Sequence, residues 1–87
     1  MILKRADSFE RDFLRLPAHI QALVEKAIRL LAENPRHPAL RVKKIRGTRN
    51  IWEARATRGY RITFNWEGEV IFFRRAGTHD ILRKETK

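Results

Sequence analysis

The sequence has 87 residues, which is enough for one domain (residues 1–87) and too few for two, and its hydrophobic content of 43% argues against a disordered chain. The absence of cysteine excludes disulfides and thiolate chemistry, and no apolar run approaches the roughly 20 residues that span a bilayer. The apolar part of the N-terminus is too short for a signal peptide, so we expect a cytoplasmic protein without a membrane partner.

The first part of the chain predicts a short strand followed by a helix. Ile2 and Leu3 form the apolar part of this strand and are expected to enter the core. Asp7 followed by Glu10 resembles a capping box, in which side chains satisfy the free N–H groups at a helix start. The predicted helix runs from about residue 8 to residue 16, with its apolar residues at helical spacing.

A second helix is the clearest element of the sequence. Pro17 suits its first turn, where a missing N–H does no harm, and Asn34-Pro35 ends it. Between these limits apolar residues recur at steps of three and four, which predicts one buried face. That face consists of Ile20, Leu23, Val24, Ala27, Ile28, Leu30 and Leu31.

The second half of the chain changes to the alternation that is typical of β-strands. Strands are predicted at residues 51–57, 60–66 and 69–75, and turns that contain glycine separate them. Such short connections make neighbouring strands antiparallel. Residues 41–45 form a basic connector before the first of these strands, and a short helix is expected at about residues 80–84.

Together these elements predict an α+β fold class. Two N-terminal helices pack on one face of a small, mainly antiparallel β-sheet, and the other face is expected to stay open. Because alternate residues of a strand point to opposite faces, we expect Glu53, Arg55 and Arg61 to lie together on the open face. Strand periodicity leaves open whether Arg74 or Arg75 joins them.

The positive charge of the chain is concentrated in one segment. Residues 36–61 hold nine lysines and arginines and a single acid, Glu53, whereas the segments on either side each carry a net charge of +1. A surface that binds phosphates needs such a local excess of positive charge. We therefore predict a polyanion partner, with RNA as the first candidate. A merely solvated basic loop is the alternative, and an anionic membrane is disfavoured because the segment lacks a helical apolar face. The predicted RNA-binding residues are Arg41, Lys43, Lys44, Arg46, Arg49 and Arg55.

Four side chains form a set suited to RNA cleavage without a metal. Such a reaction needs a base for the 2′-hydroxyl proton, an acid for the 5′-oxygen leaving group, and cations for the charge on the phosphate. Glu53 is a candidate base and His79 a candidate acid, since imidazole titrates near neutral pH. Arg61 and Arg75 are candidates to clamp the phosphate through their forked donors.

These residues also have structural interpretations. Glu53 among arginines is equally well explained by a cross-strand salt bridge, and His79 before Asp80 by a turn or a helix cap. His19 and His37 lie near prolines and are expected at exposed loop or helix ends. Because the three histidines are scattered along the chain, no metal site is predicted.

Three stretches of the sequence resemble the RelE/ParE toxin superfamily. They are Ile51-Trp52-Glu53-Ala54-Arg55, Tyr60-Arg61-Ile62-Thr63-Phe64 and Arg75-Ala76-Gly77-Thr78-His79-Asp80, and the resemblance covers nearly the whole chain. The Gly-Thr-His ending is the most specific of them and is similar to the YafQ-type branch of ribosome-dependent messenger RNA interferases. The resemblance implies a toxin of a toxin–antitoxin pair that enters the ribosomal A site and cuts mRNA. Its partners would be mRNA, ribosomal RNA and a cognate antitoxin, with no cofactor.

The resemblance also implies residue roles. By position, His79 matches the catalytic histidine of the Gly-Thr-His ending, and Arg75 matches the arginine just before it. Arg61 matches the strand arginine that stabilises phosphate in RelE-like members. Glu53 matches the glutamate that YoeB-like members use as a base.

Some features depart from the resemblance, and two alternatives stay open. Arg55 stands where YafQ-like enzymes have a sheet histidine, Gly59 replaces an acidic residue of the following turn, and no tyrosine follows Arg75. The alternatives are a non-enzymatic DNA gyrase inhibitor of the ParE kind and an RNA- or ribosome-binding domain that does not cleave. His79 together with Arg61 and Arg75 favours the nuclease, because a gyrase inhibitor needs no acid–base and phosphate set.

Overall fold

The computed structural model describes residues 1–85 and has the α+β architecture that the sequence predicts. The helices are α1 (Asp7–Arg15), α2 (Ala18–Glu33) and α3 (Asp80–Glu85), with a short 3-10 helix at Pro38–Leu40. The strands are β1 (Ile2–Arg5), β2 (Lys43–Lys44), β3 (Ile51–Arg55), β4 (Tyr60–Glu67) and β5 (Val70–Thr78). The predicted helices and strands are therefore confirmed, with small shifts at their ends. Of the helices within the first 85 residues, none is long and apolar enough to cross a bilayer.

The strands form one five-stranded sheet in the order β1-β5-β4-β3-β2. β1 lies parallel to β5, and the other neighbouring pairs are antiparallel. The basic connector adds β2 as a short edge strand, which places Lys43 opposite Glu53. β5 continues beyond its predicted end at residue 75, because its last residues still pair with β4, up to Thr78 opposite Tyr60. This extension carries the end of β5 to the β3–β4 turn.

An apolar core holds α1 and α2 on one face of the sheet. The buried face of α2 follows helical spacing, as predicted, and Val24 and Leu31 have no exposed surface. Phe9 of α1 is also fully buried, and its ring centroid lies 5.4 Å from that of Phe73 on β5. Burying each such side chain stabilises the fold by ~1.5–3 kcal/mol. Both helices are therefore fixed on this face of the sheet.

Three apolar residues that were predicted in the core are instead exposed. Ile2 and Leu3 lie on β1, which has a neighbour on one side only, and Ile2 is exposed to 55%. Leu23 lies at the margin of the buried face of α2 and is exposed to 38%. Periodicity assigns a side chain to a face of its element, and whether that face is covered depends on tertiary packing.

The predicted capping box at the start of α1 is wrong. Ala6 is the N-cap, Asp7 is the first helical residue, and no side chain caps this helix start. The Glu10 carboxylate instead accepts a hydrogen bond from Arg5 Nη1 at 3.3 Å. Arg5 Nη2 donates to Glu25 of α2 at 2.8 Å, so one guanidinium links β1 to both N-terminal helices. The Glu10 carboxylate that the capping box required is therefore bound to Arg5 instead.

A bulge in β5 determines where its two arginines lie. The β4–β5 register shifts between Thr63 and Phe64, which leaves Arg74 as an extra residue on β5. Arg74 consequently reaches the sheet face away from α1 and α2, where its Nη1 donates to Asn65 Oδ1 at 3.2 Å. Arg75 follows a different course, toward α1.

Asp12 of α1 binds Arg75 with both carboxylate oxygens. Arg75 Nε lies 2.6 Å from Oδ2, and its Nη2 lies 3.1 Å from Oδ1. The same Oδ2 accepts the backbone N–H of Ala76 at 3.0 Å, on the part of β5 that extends past its pairing with β1. The hydrogen bonds that Arg75 donates to Asp12 raise the pKa of Arg75. Asp12 thus closes an otherwise open strand edge and neutralises the arginine beside it.

α3 covers part of the sheet face that was expected to stay open, so that expectation is wrong for this part of the face. Ile81 is buried, and the Glu85 side chain, exposed to 5%, accepts hydrogen bonds of 2.8 and 3.0 Å from Arg74. Gly77 permits this approach, because a Cβ at that position would lie 2.9 Å from Ile81 Cγ2. The glycine of the Gly-Thr-His ending therefore has a packing role: it lets α3 lie against β5.

We expect Glu85 to make the stability of the protein dependent on acid. Burial alone would raise the pKa of Glu85, but the hydrogen bonds from Arg74, the Thr63 hydroxyl beside it and the charges of Arg74 and Arg75 lower it below the ordinary value of 4.5. Because the unfolded chain holds this proton more tightly, the stabilisation is present above the ordinary pKa and is lost as the pH falls through the folded one.

Urea unfolding of Glu85→Gln at about pH 6 and about pH 3.5 measures this contribution. The variant should be less stable than the parent at the higher pH, and the difference should shrink at the lower pH. Glu67→Gln, at the exposed end of β4, is the control and should follow the parent at both values. A pH-independent difference between Glu85→Gln and the parent would contradict the assignment.

We also predict that Asp12→Ala lowers the free energy of unfolding by about 2 kcal/mol or more, because it leaves a part-buried guanidinium and a strand N–H without their acceptor. Glu10→Ala removes an exposed ion pair with Arg5 and should change stability by about 0.5 kcal/mol or less. Chemical denaturation compares the two variants. Equal losses would show that Asp12 does not hold the edge of β5.

Candidate functional site

A cationic groove lies on the sheet face away from α1 and α2, where the β3–β4 turn meets the start of α3. It encloses about 650 Å³. Its walls come from the segment around β2, from the β3–β4 hairpin and from the end of β5 with α3. The residues that line the groove are Arg41, Val42, Lys43, Glu53, Arg55, Arg58, Arg61, His79 and Leu82.

Two arginines face each other across the floor of the groove. Arg55 of β3 and Arg61 of β4 occupy directly opposite register positions, an arrangement in which like charges destabilise a sheet. Partial desolvation and repulsion from Arg41, Arg61 and Arg58 lower the pKa of Arg55 from its ordinary value. The groove therefore concentrates positive charge that a bound anion would relieve.

Glu53 is the one acid among the residues that line the groove, against five arginines and lysines. It is exposed to only 8%, and its Oε1 lies 3.6 Å from Arg61 Nε. Lys43 stands opposite it on β2. The salt bridge to Arg61 that the sequence offered as a structural interpretation is thus present, and the carboxylate still lines the groove. A carboxylate so placed is restrained in orientation and has access to a ligand.

Arg61 is held in place by the turn that precedes it. Its Nη1 donates to the backbone carbonyls of Thr57 (3.0 Å), Arg58 (3.2 Å) and Tyr60 (3.2 Å). Its Nε faces Glu53. These contacts order one edge of the guanidinium and leave Nη2 without a hydrogen-bond partner among residues 1–85. The free Nη2 is a preorganised donor for a phosphate oxygen.

His79 lines the groove from the end of β5. It follows Thr78 directly, and the register of β4 with β5 brings this end of β5 beside Arg61, since Arg61 stands opposite Gly77. The His79 carbonyl also accepts the N–H of Leu82 at 3.0 Å, in the first turn of α3. The structural interpretation of His79 is therefore confirmed, since its backbone starts α3. Its exposed imidazole lines the groove, and its catalytic role stays a prediction.

Arg75 is the predicted catalytic residue that the structure does not bring into the groove. Although Arg75 stands opposite Thr63 on β4, Asp12 of α1 engages its guanidinium with two hydrogen bonds, and Arg75 is not among the residues that line the groove. Glu53, Arg61 and His79 do meet in the groove. Alternation alone could not separate Arg74 from Arg75, because a bulge shifts the face of every following residue.

The predicted RNA-binding residues divide between the groove and another part of the surface. Arg41, Lys43 and Arg55 line the groove. Lys44 pairs with Trp52, on the opposite side of the sheet from Lys43. The remaining two, Arg46 and Arg49, are exposed in the loop between β2 and β3, outside the lining of the groove.

The structure adds residues that the sequence interpretation did not assign to the site. Arg58 lines the groove from the β3–β4 turn. Its position between Arg55 and Arg61 in a short hairpin could have predicted that it lies near them. Val42 and Leu82 supply apolar walls. No local sequence signal marked either residue, since their exposure to the groove depends on how β2 and α3 pack.

The arrangement suits a phosphodiester better than a metal ion. Across residues 1–85, no three histidine or carboxylate side chains are grouped so as to hold a metal. The groove instead offers a restrained carboxylate, an imidazole and several guanidinium donors. These are the groups that bind a phosphate and move protons to and from the oxygens around it.

Comparison with known proteins agrees with this architecture. No sequence-family model matches the chain, and no curated protein sequence matches it. Solved structures do match: YafQ from E. coli has a TM-score of 0.77 at 14% identity, covering 92% of this chain and 94% of that one. RelE in the RelB–RelE antitoxin–toxin complex from Methanococcus jannaschii has a TM-score of 0.71 at 26% identity, covering 97% and 99%. A YoeB/ParE toxin from Agrobacterium tumefaciens has a TM-score of 0.76 at 19% identity, covering 91% and 99%.

The fold is therefore that of RelE-like toxins, and the resemblance to the RelE/ParE toxin superfamily that the sequence motifs suggested is confirmed. YafQ and the E. coli RelBE and DinJ–YafQ toxin–antitoxin complexes all lie among the matching structures. The structural likeness includes the YafQ-type branch that the Gly-Thr-His ending indicated.

Substitutions of Arg41 test whether the positive charge of the groove contributes to RNA binding. It has a left-handed backbone with φ of 47°, a conformation that costs a residue with a Cβ about 1–2 kcal/mol and suits glycine. Arg41→Gly and Arg41→Ala should weaken RNA binding equally and reduce the salt dependence of binding by about one charge. The glycine variant should be the more stable of the two by about 1 kcal/mol.

Thermal unfolding and RNA titrations at several salt concentrations measure both effects. Unchanged RNA affinity in both variants would show that Arg41 does not contact the backbone of the ligand. Equal stability of the two variants would show that the left-handed conformation is not strained.

Proposed function

We propose that this protein is the toxin of a type II toxin–antitoxin system and a ribosome-dependent mRNA endoribonuclease that inhibits translation in the cytoplasm. One observation carries the proposal: Glu53, Arg61 and His79, which come from three separate parts of the sequence, line one cationic groove on a RelE-like fold. A protein that only binds an anion needs the arginines of this groove. It does not need a buried carboxylate and an imidazole beside them.

The proposed reaction is attack of a ribose 2′-oxygen on the neighbouring phosphate. Glu53 removes the 2′-hydroxyl proton, the new P–O bond forms, and the bond from phosphorus to the 5′-oxygen breaks. His79 gives the leaving 5′-oxygen its proton, so the products are a 2′,3′-cyclic phosphate and a 5′-hydroxyl. The reverse assignment, with His79 as the base and Glu53 as the acid, uses the same atoms.

Arg61 stabilises the charge that grows on the phosphate in this mechanism. Its three contacts with backbone carbonyls fix the guanidinium before the ligand arrives, so little reorganisation is needed during the reaction. Arg55, Arg58 and Lys43 neutralise the phosphates on either side. We assign Arg75 a supporting role, since its contacts with Asp12 hold the β5 strand that presents His79.

The proposed partners follow from the charge of the groove and from the structural relatives. Messenger RNA in the ribosomal A site and the surrounding ribosomal RNA are polyanions that the basic segment complements. RelE and YafQ have been solved in complexes with the antitoxins RelB and DinJ. We propose that a cognate antitoxin binds this chain as well, and that its acidic side chains compete for the groove.

The test is single-turnover cleavage of mRNA on programmed ribosomes. Arg61→Ala should slow cleavage at least about 30-fold, which corresponds to ~2 kcal/mol of transition-state stabilisation. His79→Ala should slow it by about 100-fold or more, the range of general acid–base catalysis. Arg29→Ala removes one positive charge from the exposed side of α2 and is the matched control, with a rate near that of the parent.

Three other results would each contradict a part of this proposal. Near-normal cleavage by Arg61→Ala would show that its role is misassigned. Intact mRNA with inhibited DNA supercoiling would replace the nuclease by a gyrase inhibitor. Tight ribosome binding without cleavage, by the parent protein and the variants alike, would leave an RNA-binding domain.

A further inference from the structure

We propose a second site on this protein: a pocket on the helix-bearing face of the sheet, formed by Trp52 and Trp66, that stacks one unpaired nucleobase of single-stranded RNA. The pocket encloses about 250 Å³ and is lined by the two indoles, by Arg41 and Val42, and by residues 35–38. This volume lies below the ~300–1,000 Å³ of typical small-molecule pockets, and it suits a single ring system. The proposal rests on the RNA-binding part of the proposed function and does not depend on cleavage.

The two tryptophans form a fixed aromatic corner. Their ring centroids lie 5.3 Å apart at an interplanar angle of 66°. Trp52 Nε1 donates to Asn50 Oδ1 at 3.0 Å, and Trp66 Nε1 donates to the Gly68 carbonyl at 3.1 Å. Because the polar atom of each indole already has its acceptor, the ring surfaces that line the pocket are the apolar parts. Such rigid surfaces suit base stacking, which does not depend on base identity.

The pocket is open because a loop, and not a helix, lies over this part of the sheet. α2 ends at Glu33, and the residues that follow it form the outer wall. Trp52 and Trp66 keep part of their surface exposed, although neighbours such as Phe64 on the same sheet face are fully buried. Pro35 and Pro38 restrict the wall segment, so its shape is set before a ligand binds.

The charge of the pocket selects an anionic ligand. Arg36 and Arg41 line it together with His37, and no carboxylate is among its lining residues. His37 Nδ1 accepts the N–H of Ala39 at 3.1 Å, so the neutral imidazole carries its proton on Nε2. That Nε2–H is a donor for a base or a phosphate oxygen. Aromatic faces with guanidinium donors and without acids are the combination that binds a nucleotide.

Arg41 and Val42 join the pocket to the groove, since both residues line both cavities. Because these residues precede β2, the edge strand of the sheet, one RNA strand that passes around this edge can keep a phosphate in the groove while a nearby base enters the pocket on the other face. This arrangement would fix the register of the strand relative to Glu53 and His79. It also explains why Arg36 belongs to the basic segment although it lies outside the groove.

The chain has a built-in reporter for this pocket, because it contains two tryptophans and both lie there. A short single-stranded RNA with a fluorophore at one end is titrated with the full-length protein, and two signals are followed. Anisotropy of the label reports any binding, and tryptophan fluorescence reports occupation of the pocket. We expect both signals to change together, and an abasic oligonucleotide of equal length should change the anisotropy without quenching the tryptophans.

Two variants test the pocket independently of the groove. Trp66→Leu should weaken RNA binding about tenfold, the effect of losing one stacked base, and leave abasic binding unchanged. Arg36→Ala, at an exposed residue that the fold does not require, should weaken RNA binding several-fold, and Arg29→Ala is its charge-matched control. Unfolding midpoints show that the variants remain folded, and the Arg36 variant carries the test if Trp66→Leu does not fold.

RNA binding without a change in tryptophan fluorescence, or equal affinities for Arg36→Ala and Arg29→Ala, would overturn the pocket and leave the proposed function intact. A variant that loses antitoxin binding but keeps RNA binding would also overturn it and assign the pocket to a protein partner. Conversely, base-dependent quenching by a protein that fails the cleavage test would support the pocket while the proposed function falls. Absence of any RNA binding would overturn the pocket by itself.

Discussion

Repulsion between like charges at one end of the sheet is the constraint around which this structure is organised. Arg55 and Arg61 stand directly opposite each other on β3 and β4, and further cations gather around them. Sheets normally avoid such a pair, because it opposes strand pairing. The fold supports it with the carboxylate of Glu53 and with backbone carbonyls that bind Arg61, while the apolar core on the far face holds the strands together. The remaining positive charge is left for a ligand.

The other arginines of the sheet show the contrast. Arg74 and Arg75 are as close in sequence as residues can be, yet each has its own carboxylate, Glu85 of α3 and Asp12 of α1. Their hydrogen bonds with these acids raise the pKa of both guanidiniums, whereas the pKa of Arg55 in the groove is lowered. The protein thus neutralises the cations that fasten its helices and leaves an excess of positive charge in the groove, where Glu53 is the one acid among the lining residues. This difference separates the arginines that hold the helices from Arg55, for which we propose a role in binding.

Much of this organisation could be predicted from the sequence, and the reasons for the failures are physical. Strand alternation placed Glu53 and Arg61 on one face correctly, because both lie in regular strands next to a short turn. The same reasoning could not place Arg75, since the bulge interrupts the alternation just before it and its guanidinium binds Asp12 of α1. Its partner Asp12 lies 63 residues away in sequence, and local sequence patterns do not predict contacts over such a separation. The packing of α3 on the sheet depends on Gly77, which has no side chain to block Ile81. The sequence shows the glycine, but it does not show that Ile81 packs against it.

The central claim is that the groove positions an RNA phosphate between a proton acceptor and a proton donor. The chemical structure of the new RNA ends tests this claim most directly, because attack by the 2′-oxygen produces ends that hydrolysis by water does not produce. Messenger RNA cut by the purified protein on ribosomes should carry a 2′,3′-cyclic phosphate on the upstream fragment and a 5′-hydroxyl on the downstream one. Fragments that end in a 3′-hydroxyl and a 5′-phosphate, or mRNA that stays intact, would contradict the account.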